Sequence, residues 1–218
     1  MKVYSDEEVR ALKRACLDEP LGRLFILMFD TGLRPGEALG LKWGDIGGEV
    51  LRVRRQLWEY EGKLELRERL KTENSRRDIF LAPATLEQLG QPGPLGELIF
   101  RDSGGWLQRK RRVYQAWKRV HDRADVDKNG RTPHCARHSH ASQLLTDGVP
   151  IGDVAARLGD TIRTVQLYYA HWMPGEDRSR SAVAARAGVS VGGSRTLQQT
   201  GSTDCGCNAN ESPEDIQL

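Results

Sequence analysis

Apolar residues recur at helical spacing from the start of the chain, where Val9, Leu12 and Cys16 follow the polar stretch "SDEE" at intervals of three and four. Ser5 with Glu8 three positions later is a capping-box signature, so the pattern predicts a helix at once. A second apolar stretch over 21–29 predicts a helix that stops at Thr31-Gly32, and Pro35 stands where a third would begin, running through Glu37 to about residue 41. Arg34 therefore falls at a helix junction. Between 50 and 81 the period changes to two: the stretches 50–58, 63–70 and 76–81, separated by "EYEG" and "KTENS", predict a three-stranded antiparallel meander with Lys71 in its second turn. Helical spacing returns over 106–124, 134–146, 151–158 and 162–171, with a further helix expected over 175–187. From 189 onward Gly, Ser, Thr and Asn predominate, and disorder is expected. The pattern predicts an α+β fold over 1–188, mainly helical with a small three-stranded sheet, then a tail over 189–218.

Composition narrows the class. The chain has 218 residues, 38% hydrophobic and 29% charged, enough for one good core or two small ones. Its longest apolar run, 24–29, is far short of the ~20 residues a membrane span needs. No signal-peptide core follows the charged start "MKVYSDEEVR", so a cytoplasmic protein is expected. Cys16, Cys135, Cys205 and Cys207 lack the density of a disulfide framework, and "CGC" without a second pair is a weak zinc signal. There is no P-loop and no obvious cluster of carboxylates for two metals, so no cofactor and no metal are expected.

Net charge is only +3, but it is unevenly spread. Residues 101–131 carry ten Lys or Arg against four acids, with Arg109, Lys110, Arg111, Arg112, Lys118 and Arg119 close together; the last thirty residues are net −3. A basic body with an acidic tail suits a polyanion, and a solvated helix face explains the same run equally well.

Candidate chemistry lies in "PHCARHSH", where His134 and Arg137 are three apart at a helix start and can point at one spot. With Arg34 and Lys71 the chain offers two arginines, a lysine and a histidine suited to lining a cleft. Two guanidiniums can hold the nonbridging oxygens of a phosphodiester through bidentate, charge-assisted hydrogen bonds. His138 and His140 rival His134 for any proton-handling role. In "VQLYYAH", Ile162, Val165 and Tyr169 share one stripe, so periodicity alone reads Tyr169 as a core aromatic with Tyr168 on another face.

Four motifs, "TGLRPGEALGLKWGDI" (31–46), "LKTENSRRDIFL" (70–81), "TPHCARHSHASQLL" (132–145) and "LGDTIRTVQLYYAH" (158–171), resemble in order and spacing the catalytic domain of tyrosine recombinases of the phage integrase type. The resemblance covers about 5–175. It implies that Arg34, Lys71, His134 and Arg137 surround a DNA phosphate. The Tyr-x-His pattern selects Tyr169 as nucleophile, with His171 trailing. The reaction implied is transesterification through a 3′-phosphotyrosine, with Lys71 protonating the departing 5′ oxygen. The implied partners are double-stranded DNA and further copies of the chain, as a tetramer, with no membrane and no small-molecule substrate.

Two departures stand out. The family has histidine or tryptophan after "LG", and this chain has Asp160, an anion that repels phosphate and is expected to weaken cleavage; Thr161 is a substitute hydroxyl donor. Family members carry a DNA-clamping domain ahead of the catalytic one, and here the first catalytic helix comes at once. Three readings follow: a site-specific recombinase, a type IB topoisomerase-like enzyme, or a non-cleaving DNA-binding relative.

Overall fold

The first helix is built by its own ends. In the computed structural model, which describes residues 2–68, 75–102, 104–105 and 107–172, α1 (Asp6–Cys16) opens on Ser5. The Ser5 hydroxyl accepts from the Glu8 amide at 3.2 Å, and the Ser5 amide donates back to the Glu8 carboxylate at 2.9 Å, the capping box the sequence predicts. Helix α2 (Gly22–Thr31) is almost wholly buried and ends at Gly32, whose φ of 68° is the left-handed stop that glycine adopts without steric cost. Arg34 then takes an extended backbone, as a residue before proline must, and Pro35 opens α3 (Pro35–Leu39). A 3-10 turn (Trp43–Asp45) leads into the strands.

The strands pair differently from a single meander. Strands β1 (Ile46–Gly47), β2 (Val50–Val53) and β5 (Arg77–Phe80) form a three-stranded antiparallel sheet in the order β1-β2-β5, while β3 (Gln56–Tyr60) and β4 (Lys63–Arg67) form a separate hairpin. The stretch 50–58 is thus two strands, corrected by a change of phase. Leu51 and Val53 face inward at alternate positions, the chain breaks at Arg54-Arg55, and Gln56 and Leu57 are then buried side by side. Asp78 takes Arg54 and Glu68 takes Arg55, at 2.8 and 3.0 Å, and Asp45 also accepts from Arg55. The hairpin turns at Glu61-Gly62, both with positive φ as a two-residue loop of this hand requires.

A short helix the periodicity did not announce, α4 (Pro83–Leu89), follows β5. Helix α5 (Lys110–Ala124) starts later than the apolar spacing predicts, because Leu107 is still extended and bridged to Arg101. Helices α6 (His134–Thr146), α7 (Ile151–Leu158) and α8 (Ile162–Tyr169) complete the described chain, with a 3-10 turn (Ala170–Trp172) carrying His171. Lys71, the helix expected over 175–187, the tail from 189 and the pair Cys205 and Cys207 lie outside the described residues.

Two cores hold these elements. In the larger, Trp117 of α5 is fully buried against Phe25 and Phe29 of α2, and its indole donates to the Arg131 carbonyl at 3.1 Å. The smaller packs Leu145, Val154, Leu158, Val165 and Tyr169 from α6, α7 and α8. The end of α2, the start of α3, the first turn of α6 and the α7–α8 junction contribute the charged residues described next.

Candidate active site

Two guanidiniums converge on one carboxylate. Arg34 Nη2 and Arg137 Nη2 each donate to Asp160, Arg34 to Oδ1 and Arg137 to Oδ2 at 2.6 Å. The other arms are anchored in the scaffold: Arg34 Nη1 donates to Glu37 at 2.9 Å, and Arg137 Nη1 to the Gly32 carbonyl at 2.7 Å. Arg137 is 2% exposed, so its direction is set by packing and by that carbonyl. Arg34, at the α3 N-terminus, is set by the turn: its own amide donates to Glu37 at 3.0 Å.

Glu37 is the second hub. Its buried carboxylate also accepts from Arg77 Nη2 at 2.9 Å, and Arg77 Nε donates to the Arg157 carbonyl at 2.7 Å. Burial by itself raises the Glu37 pKa, but Arg77 and Arg34 outweigh it and hold it at about 2. Asp160 likewise lies below the usual carboxylate range, with Arg137 and Arg34 overcoming burial. Three guanidiniums therefore face two carboxylates that stay ionised at neutral pH.

Tyr169 sits beside this cluster. It is 3% exposed, whereas Tyr168 is 50% exposed on the outer face of α8. Its hydroxyl lies 2.6 Å from His138 Nδ1. Burial raises the phenol pKa, and the charges of Arg137 and Arg34 pull it the other way, which places both arginines within electrostatic reach of the oxygen. His134 stands edge-on to His138, ring centroids 4.8 Å apart. Burial holds both imidazoles neutral, His134 near 3 and His138 near 4, with Arg137 adding to the effect on each. A neutral imidazole can accept a phenolic proton, so His138, ranked behind His134 by motif position, is the histidine in contact with Tyr169. It lies one helical turn from His134 on α6, and only the seat of α8 decides which of the two is touched.

The structure brings together Arg34, His134, Arg137, Asp160 and Tyr169. Thr161 is occupied in another way: its hydroxyl caps α8, accepting from the Thr164 amide at 3.1 Å. His140, the third histidine of the motif, accepts from Arg157 Nε at 2.9 Å. The residues that sequence reasoning undervalued are His138, and Arg77, which the two-residue period of β5 marks only as an inward position.

The cations proposed for DNA lie along α5. Arg109, Arg111, Arg112, Lys118 and Arg119 are exposed and Lys110 half-buried. Arg119 is bound through two hydrogen bonds to Glu19, Lys118 pairs with Asp122 at 2.6 Å, Arg112 with Asp102 at 3.3 Å, and Arg109 with Glu59 at 3.7 Å. Glu19 lies just before α2 and Arg34 just after it, so Arg119 is held at the end of α2 away from the arginine cluster, roughly 15 Å along the helix. Among the described residues, no helix is long and apolar enough to cross a membrane.

Comparison with known proteins identifies the family and the fold. The model of the phage integrase family matches residues 3–173. A "tyrosine recombinase XerC-like" protein of Caldanaerobacter subterraneus subsp. tengcongensis is 30% identical over 203 residues, covering 80% of this chain and 51% of that protein. The tyrosine recombinase XerD of Proteus mirabilis is 27% identical over 177 residues, covering 77% of this chain and 54% of its own. The chain thus spans about half the length of these two relatives. The Tn1549 transposon integrase, solved with a circular intermediate DNA, superposes with a TM-score of 0.71 at 17% identity, over 85% of this chain and 66% of that one. The catalytic domain of bacteriophage HP1 integrase superposes with a TM-score of 0.60 at 19% identity, over 84% of this chain and 94% of that domain. At these identities the structural likeness is one of fold.

Proposed function

This chain belongs to the phage integrase family, and we propose that it cuts and rejoins DNA strands by transesterification with Tyr169 as the nucleophile. The observation that carries the reading is the convergence of Arg34 and Arg137 on one anion beside a buried tyrosine.

The steps follow from the groups present. The Tyr169 oxygen attacks the scissile phosphorus while its proton passes to His138, 2.6 Å away. A bond forms between phosphorus and the phenolic oxygen, and the bond to the 5′ oxygen breaks. Arg34 and Arg137 hold the nonbridging oxygens as charge builds, where losing one such donor costs about 10²–10³ in rate. The 5′ oxygen leaves with a proton, and Lys71 is assigned to donate it on the strength of the family motif. The phosphotyrosine keeps the energy of the phosphodiester, so a 5′ hydroxyl from another strand reverses the step without an external energy source.

On this reading the partner is double-stranded DNA, the working form that joins two duplexes is a homo-tetramer, and the place of action is the cytoplasm. A second reading, a DNA-binding relative that does not cleave, is favoured by one observation: Asp160 occupies the position between the arginines.

The test is covalent capture. The protein is incubated with a pool of nicked duplexes and denatured in detergent, and labelled DNA is sought on the protein. The recombinase reading expects an adduct that Tyr169→Phe removes and Tyr168→Phe keeps. An adduct lost only in Tyr168→Phe reassigns the nucleophile, and absence of any adduct favours the non-cleaving reading. Relaxation of a supercoiled plasmid lacking a particular site points to topoisomerase activity.

A further inference from the structure

The anion seat is already filled by the protein itself. Arg34 and Arg137 each fix one guanidinium arm to the scaffold and turn the other, Nη2 in both cases, to a separate oxygen of Asp160. One carboxylate oxygen on each of two arginines reproduces the charge and the fork of two nonbridging phosphate oxygens. We propose that Asp160 is the resident anion of this seat, which an incoming phosphate must expel, and that its removal creates a binding site for free tetrahedral oxyanions. Naming the DNA phosphate as natural competitor rests on the recombinase reading.

The local backbone suits an exchange by side-chain rotation. Asp160 donates its amide to the Ala155 carbonyl at 3.0 Å, Gly159 before it closes α7 with φ 70°, and Thr161 after it caps α8. Both neighbours are held, so the short side chain can swing while the main chain stays. Its side chain is 16% exposed, which leaves an outlet to solvent. Charge favours the exchange. Arg34, Arg77 and Arg137 face Glu37 and Asp160, and with Asp160 expelled three cations face one carboxylate, a seat of +2. Because Arg137 and Arg34 hold Asp160 below the usual carboxylate range, protonation near neutral pH does not open the seat. Opening is a competition between anions.

The cradle therefore carries a fixed penalty that every phosphate meets. Removing the carboxylate abolishes the penalty and leaves both Nη2 arms aimed at one point.

The experiment measures binding of inorganic phosphate to the full chain by calorimetry and by phosphate-dependent thermal stabilisation, in phosphate-free buffer at matched ionic strength. Native protein is compared with Asp160→Asn, Asp160→Ala and Arg34→Ala/Asp160→Ala. The proposal expects Asp160→Asn and Asp160→Ala to bind phosphate at least about tenfold more tightly than native protein, equivalent to ~1.4 kcal/mol, and the double variant to lose that gain. Folding of an Asp160 variant only when phosphate is present also supports it, since phosphate then replaces the missing carboxylate. Equal phosphate affinity in native protein and both variants overturns it, as does a gain that survives loss of Arg34. Failure of both variants to fold with or without phosphate makes Asp160 a purely structural ion-pair partner, and overturns it too. The adduct assay separates the two ideas. Phosphate binding by Asp160→Asn with no DNA adduct from any variant leaves the seat standing and removes the recombinase reading. An adduct formed by native protein with no gain in phosphate binding on substitution keeps the recombinase reading and removes the exchange.

Discussion

Replacing Glu37 by glutamine tests whether the arginine cluster is held by one buried charge. The carboxylate is 1% exposed and serves both Arg34 and Arg77. Glutamine keeps the volume, removes the charge and turns an amide N–H towards a guanidinium that also donates. The magnitude follows from the pKa: held at about 2 against an ordinary 4.5, the carboxyl contributes about 3 kcal/mol to folding at neutral pH. That matches the ~3–5 kcal/mol cost of removing one member of a buried ion pair. The direction with pH is determined too. A carboxyl whose native pKa is depressed contributes fully above its unfolded value and loses that contribution as pH falls from about 4.5 through about 2. His134, His138 and His140, with native values near 3, 4 and 3, lose theirs from about 6.5 downwards, in native protein and variant alike, so they cancel in the difference. Urea denaturation at pH 7 should show Glu37→Gln less stable by about 3 kcal/mol, with the gap narrowing across the acid window. A gap under about 1 kcal/mol at pH 7, or one that stays constant down to pH 3, would refute the shared-charge account.

Three further outcomes are expected. His138→Ala should slow adduct formation about a hundredfold with little change in DNA affinity, and His138→Asn, which keeps a hydrogen-bond acceptor near Nδ1 but no base, should stay about as slow; an unchanged rate in either variant, or recovery by Asn, removes His138 from the proton path. Gly32→Ala should cost about 2–5 kcal/mol in a melting experiment, because a Cβ there meets Leu158 and His140 side chains at 2.7 and 2.8 Å in a left-handed backbone; a loss below about 1 kcal/mol contradicts that. Arg111→Ala should lower the slope of log affinity against log salt for DNA by about one, while Arg119→Ala leaves the slope and reduces stability by stranding the buried Glu19; the reverse pattern would shift the DNA surface to the other side of α5.

Local pattern was enough wherever a few neighbouring residues settle the geometry. Ser5 with Glu8 caps α1, Gly32 stops α2, and "RPGE" sets Arg34 extended at the head of α3 with Glu37 returning to its amide. These are contacts within four residues, so the sequence contains both partners. The order of the four motifs likewise carried the family, and with it the expectation that Tyr169 is the nucleophile. The division of 50–58 into two strands was readable only as a phase slip at Arg54-Arg55, because alternation does not say which strand a residue will pair with.

What tertiary structure decided lies in contacts across long sequence separations. Tyr168 and Tyr169 differ by one helical step, and it is the packing of α8 on α6 that buries the second and sets its hydroxyl on His138. His134 and His138 are one turn apart on the same face, and the same packing chooses between them. The sequence marks Asp160 as an anion where the family has a hydrogen-bond donor. That the carboxylate closes across Arg34, 126 residues away, and Arg137 follows only once α2, α6 and the α7–α8 turn meet, because charge acts over ångströms and not along the chain.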